Sequence, residues 1–158
     1  MWAGAAFVLL GISAALMAYE ALLRPGPELL VVSADGDEVA RISLRTDPTW
    51  EVRWVHSVAG IAVRDIFAWR DGHMLLTDSL TPRLDVAGLG HTPGRGELRD
   101  DGEGGHWIAG IDEPVPGGRY WLRVGSEAAP TVLVHGSREY DLTREHAGER
   151  VLLQVRVP

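Results

Sequence analysis

Two ionisable side chains, His56 and Asp65, stand on the apolar faces of neighbouring candidate strands. Each shares its face with three apolar residues when alternate positions are counted. These residues are Trp50, Val52 and Trp54 beside His56, and Val63, Phe67 and Trp69 beside Asp65. A buried ionisable group needs a partner or a hydrogen bond. Two interpretations stay open: strand-end residues satisfied by loop backbone at a rim, or members of a functional or structural polar cluster.

The connection between the two strands decides whether His56 and Asp65 can meet. A tight loop over residues 57–60 would place His56 opposite Ile61. Asp65 would then lie about 13 Å further along its strand. Direct pairing therefore needs a wide connection. Ser57 does not form a catalytic dyad with His56, because neighbouring residues on a strand point to opposite faces.

Other candidate chemistry is sparse. The glycines of residues 88–96 do not spell G-x-x-x-x-G-K-[ST], and the chain has no lysine. The acidic residues around Asp101 lack the spacing of a calcium-binding loop, and Asp101-Gly102 instead predicts a hairpin turn. The six histidines include no HExxH or HxH pair. We therefore predict no metal site, no cofactor and no catalytic residue.

The segments that must position these side chains have the alternation of antiparallel strands. Nine segments are predicted as strands, the first as a short apolar run and most of the others by alternation, and no stretch after residue 28 has helical periodicity over three turns. The nine segments are residues 29–32, 40–44, 50–57, 61–70, 73–80, 107–111, 120–124, 131–135 and 151–157. The pattern predicts an all-β domain over residues 28–158, either an antiparallel sandwich or a partly open barrel of about nine strands.

Turn signals separate these segments. Asp35-Gly36 and Asp71-Gly72 predict tight hairpin turns. The longest connection is predicted over residues 85–105, and residues 143–148 have room for a single helical turn. Long ordered loops on a rigid β scaffold are a common place for function.

The first residues form a separate, apolar segment. Ser13 is the only clearly polar side chain in residues 2–19. As a helix this stretch would be roughly 27 Å long, close to the hydrocarbon thickness of a bilayer. We predict a transmembrane anchor over residues 1–24, in contact with the membrane through residues 2–23 and followed by a Pro/Gly linker at residues 25–27.

Alternatives to an uncleaved anchor are a cleaved signal peptide and a buried core helix. The stretch lacks the basic start of a signal peptide. It also lacks the polar face of a core helix. Arg24, the only basic residue near the span, would place the domain in the cytoplasm on a margin of one charge.

Composition excludes several classes of protein. The 158 residues suffice for one ordinary domain. A net charge of −7 argues against binding to nucleic acid, which requires basic patches. The absence of cysteine excludes disulfides, zinc ribbons, thiol catalysis and iron–sulfur clusters. An apolar content of 46% argues against disorder.

The segment VRWVHSVAGIAVRDIFAW, residues 52–69, resembles the signature of an uncharacterised bacterial family of small, N-terminally anchored proteins. That family is known only as a domain of unknown function, and the resemblance extends over residues 28–158. The matching positions are His56, Ser57, Val58, Val63, Asp65 and Phe67. The family's Gly-Ala-Gly-Leu loop is similar to Ala87, Gly88 and Leu89. The chain departs from the pattern at Val86 and Gly90, and at Ala59 and Gly60, where an acidic residue is usual.

Members of this family are often encoded beside TRAP transporters of the TAXI class. The resemblance therefore implies a single-pass protein of the cytoplasmic membrane, with its β domain facing the periplasm or cell exterior. The expected function is a non-enzymatic accessory that contacts the permease, its binding protein or the solute. The candidate binding residues are His56, Asp65, Gly88 and Leu89. Two alternatives remain: a hydrolase-like enzyme with a site around His56 and Asp65, and a structural envelope protein without a ligand.

Overall fold

The computed structural model describes residues 25–84 and 94–158, which form two antiparallel sheets. The predicted anchor of residues 1–24, together with Gly88 and Leu89, lies outside the described residues. Within the described ranges, none of the helices has the length and apolar character needed to cross a bilayer.

The smaller sheet has four strands in the order β2-β1-β12-β9. Their bounds are Glu28–Ser33 for β1, Glu38–Ser43 for β2, Arg119–Arg123 for β9 and Arg150–Arg156 for β12. The first strand, β1, pairs with the last one, β12, and with β2, so both ends of the described chain belong to this sheet.

The larger sheet has eight strands, seven of them in the order β11-β10-β3-β4-β5-β7-β6, with β8 paired to β5. The bounds are Thr49–His56 for β3, Ile61–Arg70 for β4, His73–Thr81 for β5, Glu97–Asp100 for β6, His106–Ala109 for β7, Glu113–Pro114 for β8, Thr131–His135 for β10 and Arg138–Asp141 for β11. One short helical turn, Thr143–His146, precedes β12, as the sequence predicted.

The inner faces of the two sheets pack against each other around one core, which makes the fold a sandwich. Neither sheet closes on itself. The core combines Leu29, Val31, Leu122, Val151 and Leu153 from the smaller sheet with Trp50, Val52, Phe67, Met74 and Leu133 from the larger one. Trp50 and Phe67 stack with ring centroids 5.9 Å apart, one strand from the next.

The strand count of nine is wrong: the described residues contain twelve. All nine predicted segments are strands, and β6, β8 and β11 are additional. All residues of β6 and β8 are exposed, and three of the four in β11, so these strands carry no buried alternating face. The connection predicted over residues 85–105 is also interrupted, because Glu97–Asp100 is β6.

The predicted turns are confirmed by their backbone geometry. Asp71 and Gly72 have φ of 52° and 78° between β4 and β5, the left-handed pair that a two-residue hairpin requires. The Gly36 N–H donates to the Ser33 carbonyl at 3.1 Å in the turn between β1 and β2. The Asp101 carboxylate accepts the Gly105 N–H at 2.7 Å between β6 and β7.

A β-bulge interrupts the pairing of β4 with β5. The register shifts between Ile66 and Phe67, so Thr77 on β5 has no partner residue across the ladder. The Thr77 hydroxyl donates to the Ile66 carbonyl at 3.1 Å instead. Because one extra residue reverses the alternation, β5 turns Ser79 inward on one side of the bulge and Leu76 inward on the other.

Candidate functional site

The β3–β4 hairpin positions both predicted site residues and keeps them apart. Its register pairs His56 with Ile61, and the Gly60 N–H closes the turn by donating to the His56 carbonyl at 2.8 Å. Asp65 pairs with Val52, four residues further along β4. Four residues of strand correspond to about 13 Å. The structure therefore places His56 and Asp65 in two different environments.

Asp65 lies in a buried polar cluster with Trp54 and Ser79. Its side chain is 8% exposed. The Trp54 indole Nε1–H donates to Oδ2 at 2.8 Å, and the Ser79 hydroxyl donates to Oδ1 at 2.7 Å. These donors come from β3 and β5, on either side of β4. The carboxylate is therefore hydrogen-bonded at both oxygens and links three adjacent strands.

Burial controls the protonation of this cluster. Loss of solvent raises the pKa of the Asp65 carboxyl, and the hydrogen bonds from Trp54 and Ser79 oppose that rise. Tyr120, on β9 of the opposite sheet, has its pKa raised to about 12, first by burial and then by the negative charge of Asp65. The Asp65 charge therefore reaches across the core from one sheet to the other.

An open cleft of about 500 Å³ lies at one end of the sandwich, where β3 and β9 reach their C-terminal ends. Residues from both sheets and from the loop after β9 form its walls. Among them are Trp54, His56, Leu122, Arg123, Ser126 and Thr131. Trp54 belongs to the cleft wall and to the buried cluster, because its indole N–H binds Asp65. The cleft and the buried carboxylate are therefore adjacent.

His56 is half-buried at the mouth of this cleft. Its Nδ1 accepts the Ala59 N–H at 3.3 Å, and its ring lies 6.3 Å from the Trp54 ring between centroids. In a neutral imidazole that accepts at Nδ1, the proton is on Nε2. His56 can therefore offer a hydrogen-bond donor to a ligand. The two residues therefore fit different interpretations. His56 is a strand-end residue that is satisfied by loop backbone at a rim, whereas Asp65 is a member of a buried polar cluster.

The loop of residues 125–131 fixes the far wall of the cleft. The Gly125 N–H donates to the Thr131 hydroxyl oxygen at 2.9 Å, and the Thr131 N–H donates to the Thr143 hydroxyl oxygen at 2.7 Å. A Cβ on Gly125 would lie 1.7 Å from the Ala129 carbonyl oxygen, so only glycine fits there. These contacts shape the wall before any ligand binds.

The cleft combines an apolar surface with a few polar groups. Trp54 and Leu122 supply the apolar surface, while His56, Arg123 and Ser126 supply polar atoms. Its volume lies within the range of small-molecule sites. Among residues 25–84 and 94–158, no three His, Asp or Glu side chains are grouped to hold a metal ion.

A domain family matches residues 50–142, more than half of the chain, and its description is "Domain of unknown function (DUF1850)". The chain belongs to this family. No curated protein and no solved structure matches this chain. The DUF1850 match is narrower than the expected range of residues 28–158.

The DUF1850 segment contains the larger sheet and one strand of the smaller sheet. It contains β4 to β11 and all of β3 except Thr49, which is the whole eight-stranded sheet together with β9. The strands β1, β2 and β12 lie outside it. The cleft residues named above are all within the DUF1850 segment.

Two of the four predicted binding residues can be placed. His56 lines the cleft and Asp65 lies in the buried cluster, while Gly88 and Leu89 are outside the described residues. The roles of Trp54 and Ser79 were not predicted from the sequence. Trp54 shares the apolar face of His56, and an indole N–H near a buried carboxylate was an available signal. Ser79 had no such signal, because the bulge in β5 reverses its face.

Proposed function

We propose that this chain is a non-enzymatic, membrane-anchored accessory of a TRAP-type solute uptake system of the TAXI class. In this proposal residues 2–23 hold it in the cytoplasmic membrane, with the β domain on the periplasmic or outer side. The resemblance of residues 52–69 to anchored proteins encoded beside such transporters supports the proposal, as does the apolar run of residues 2–19.

The observation that carries a binding role is the cleft beside His56. It is open, it has about 500 Å³ of space, and hydrogen bonds within its loop preform one wall. We propose that it binds a small solute with an apolar body and a hydrogen-bond acceptor or carboxylate. Trp54 would contact the body, while His56 would donate to the polar group.

The hydrolase-like alternative needs a group that orients His56 as a base. Asp65 is committed elsewhere, because both of its oxygens accept hydrogen bonds from Trp54 and Ser79. Ser79 is 8% exposed and its hydroxyl is already bonded to Asp65, so it does not offer an accessible nucleophile. These contacts favour binding over hydrolysis at this place.

Topology is tested by fusing alkaline phosphatase, and separately a fluorescent protein that matures only in the cytoplasm, to the C-terminus of the full chain. The proposal expects phosphatase activity without fluorescence, and recovery of the chain in the membrane fraction. Fluorescence without phosphatase activity would contradict the extracytoplasmic placement.

Transport is tested by measuring uptake of labelled solutes carried by the TRAP system of the same cell. Deletion of the chain, or His56→Ala, should reduce uptake of one solute class while the permease level stays constant. His73→Ala is a matched control, because His73 is exposed in the β4–β5 hairpin and does not line the cleft. Normal uptake in the deletion strain, with no transporter component in a mild-detergent pull-down, would contradict the accessory role.

A further inference from the structure

The outer face of the smaller sheet carries a group of exposed cations around one exposed tryptophan. We call Arg119, Trp121, Arg123 and Arg150 the Arg–Trp face. Trp121 is 45% exposed, and the guanidinium groups of Arg119 and Arg150 lie 5.9 and 5.4 Å from its ring centroid. In the ladder between β9 and β12, Arg123 is directly opposite Arg150, so these side chains share one side of the sheet.

The three arginines of this face have no acidic partner among residues 25–84 and 94–158, although the chain as a whole carries a charge of −7. The face continues across β12 and β1 through Arg156 and Arg41. These two arginines bind Glu28, at 2.7 and 2.9 Å, and Arg41 also binds Glu38, so the excess of positive charge comes from the three arginines of the Arg–Trp face. The smaller sheet therefore presents an excess of positive charge on its outer side, against the sign of the molecule.

Another tryptophan in the molecule, Trp107, also lies beside an arginine, but there both side chains have acidic partners within the fold. Arg99 lies 5.7 Å from the Trp107 ring centroid, at the far edge of the larger sheet. There, Glu97 accepts from Arg99 at 2.6 Å, and Asp78 accepts the Trp107 indole N–H at 3.1 Å. Within the part of the chain that the structure describes, the Arg–Trp face has neither of these contacts, so its charges are available to a partner.

We propose that the Arg–Trp face binds the anionic headgroup region of a lipid bilayer. Arginine binds phosphate with two parallel hydrogen bonds, and tryptophan is favoured at the membrane–water interface. Basic residues near an anionic leaflet are attracted by its negative surface potential. An exposed tryptophan held between guanidinium groups matches this chemistry, because headgroups offer phosphates above an apolar layer.

This inference rests on the proposed function, in which residues 2–23 anchor the chain in the membrane. The course of the chain then brings the Arg–Trp face close to the bilayer surface. The apolar run of residues 2–19 ends shortly before Glu28, where β1 begins. Glu28 lies opposite Arg156 in the ladder, so the basic side of the sheet starts where the tether ends. Residues 24–27, at most about 3.5 Å each, would hold this end of the sheet near the headgroups.

The test uses the full chain, which has no cysteine, so that one introduced cysteine can carry an environment-sensitive fluorophore. Gln154→Cys places the label opposite Arg119, and Ser137→Cys places a control label in the exposed turn between β10 and β11. Each protein is reconstituted into vesicles of phosphatidylcholine alone or of phosphatidylcholine with one-third phosphatidylglycerol. The label at position 154 should shift to the blue with phosphatidylglycerol and return at high salt, while the label at position 137 should not change.

Substitutions assign the shift to the face. Arg119→Gln with Arg150→Gln should abolish most of it, because two unpaired cations are lost, whereas Arg99→Gln, the matched control, should leave it intact. Circular dichroism should show that these exposed changes leave the fold unchanged. Equal emission in the two kinds of vesicle, or a shift that survives the double substitution, would overturn the proposal.

Flotation separates this inference from the proposed anchor. A full chain that does not float with phosphatidylcholine vesicles has no membrane anchor, and the proposed function then fails in that part. Flotation with phosphatidylglycerol vesicles that depends on Arg119 and Arg150 would still support the lipid-binding face. No flotation with either vesicle would overturn both.

Discussion

Asp65 accepts two buried hydrogen bonds, from Trp54 and Ser79, so a substitution at this position should lower the stability of the fold. Asp65→Asn keeps the shape but leaves one oxygen to receive both the Trp54 and Ser79 donors. One buried donor then loses its acceptor, so we expect the free energy of unfolding at neutral pH to fall by about 1–3 kcal/mol. Urea denaturation followed by circular dichroism measures this change.

Asp112→Asn is the matched control for this substitution. Asp112 is exposed, it pairs with Arg70 at the surface, and its φ of 46° is one that asparagine tolerates. Its effect should stay within about 0.5 kcal/mol. Equal stability of Asp65→Asn and Asp112→Asn would show that the bonds to Trp54 and Ser79 contribute little.

The raised pKa of Asp65 predicts a pH dependence with a definite sign. Between the ordinary value of 3.8 and the raised value, the folded chain binds more protons at Asp65 than the unfolded chain. The free energy of unfolding of the wild type should therefore fall, relative to Asp65→Asn, as pH rises through this interval. Contributions from other carboxylates cancel in the difference. A difference that rises with pH would mean that Asp65 is held as the anion.

At the scale of single elements, the loop of residues 125–131 depends on one glycine. Gly125→Ala places a Cβ within 1.7 Å of the Ala129 carbonyl oxygen, which is backbone and must move. We expect a loss of stability of about 1–3 kcal/mol and a distorted cleft wall. Thermal unfolding measures the first effect. Ser126→Ala, an exposed change in the same loop, should leave the melting temperature unchanged.

Strands with one buried side were predictable from the sequence, and strands without one were not. Residues 61–65 alternate between buried and exposed side chains because β4 lies inside the larger sheet with its inner face on the core. In contrast, β6 and β11 form the two edges of that sheet, and their residues are mostly exposed. Polar and apolar residues alternate only where one face of a strand is buried. An edge strand of charged residues therefore cannot be detected by alternation.

The candidate site could also be predicted only in part from the sequence. Alternation predicted a buried, apolar face for Asp65, which is confirmed. It left the connection to His56 open, and the structure has the tight loop, which keeps the two residues apart. The cleft was not predictable, because it needs Leu122 and Thr131, which lie far from His56 in the sequence. Only the packing of one sheet on the other brings these residues together.

For the whole molecule, one shared core predicts that the two sheets unfold together. Leu29 on the smaller sheet and Leu133 on the larger one are fully buried in the same cluster. Leu29→Ala and Leu133→Ala should each lower the free energy of unfolding by about 2–5 kcal/mol. Circular dichroism and tryptophan fluorescence should report one common transition in each variant.

Val157→Ala is the control for these two substitutions, because Val157 is 58% exposed. It should change stability by no more than about 0.5 kcal/mol. Two separate transitions in either core variant would contradict a single cooperative unit, and would mean that the eight-stranded sheet holds together without the smaller sheet.

The bulge at Thr77 also determines how DUF1850 sequences can diverge. A lineage that deleted one codon between Leu76 and Ser79 would keep nearly every residue identity, yet its β5 would regain unbroken alternation. Leu76 and Ser79 would then be two positions apart, so both would still face the core and Asp65 would keep its hydroxyl donor. A gap of one position in an alignment here would therefore mark a branch in which β4 and β5 form a regular ladder beside the same buried carboxylate.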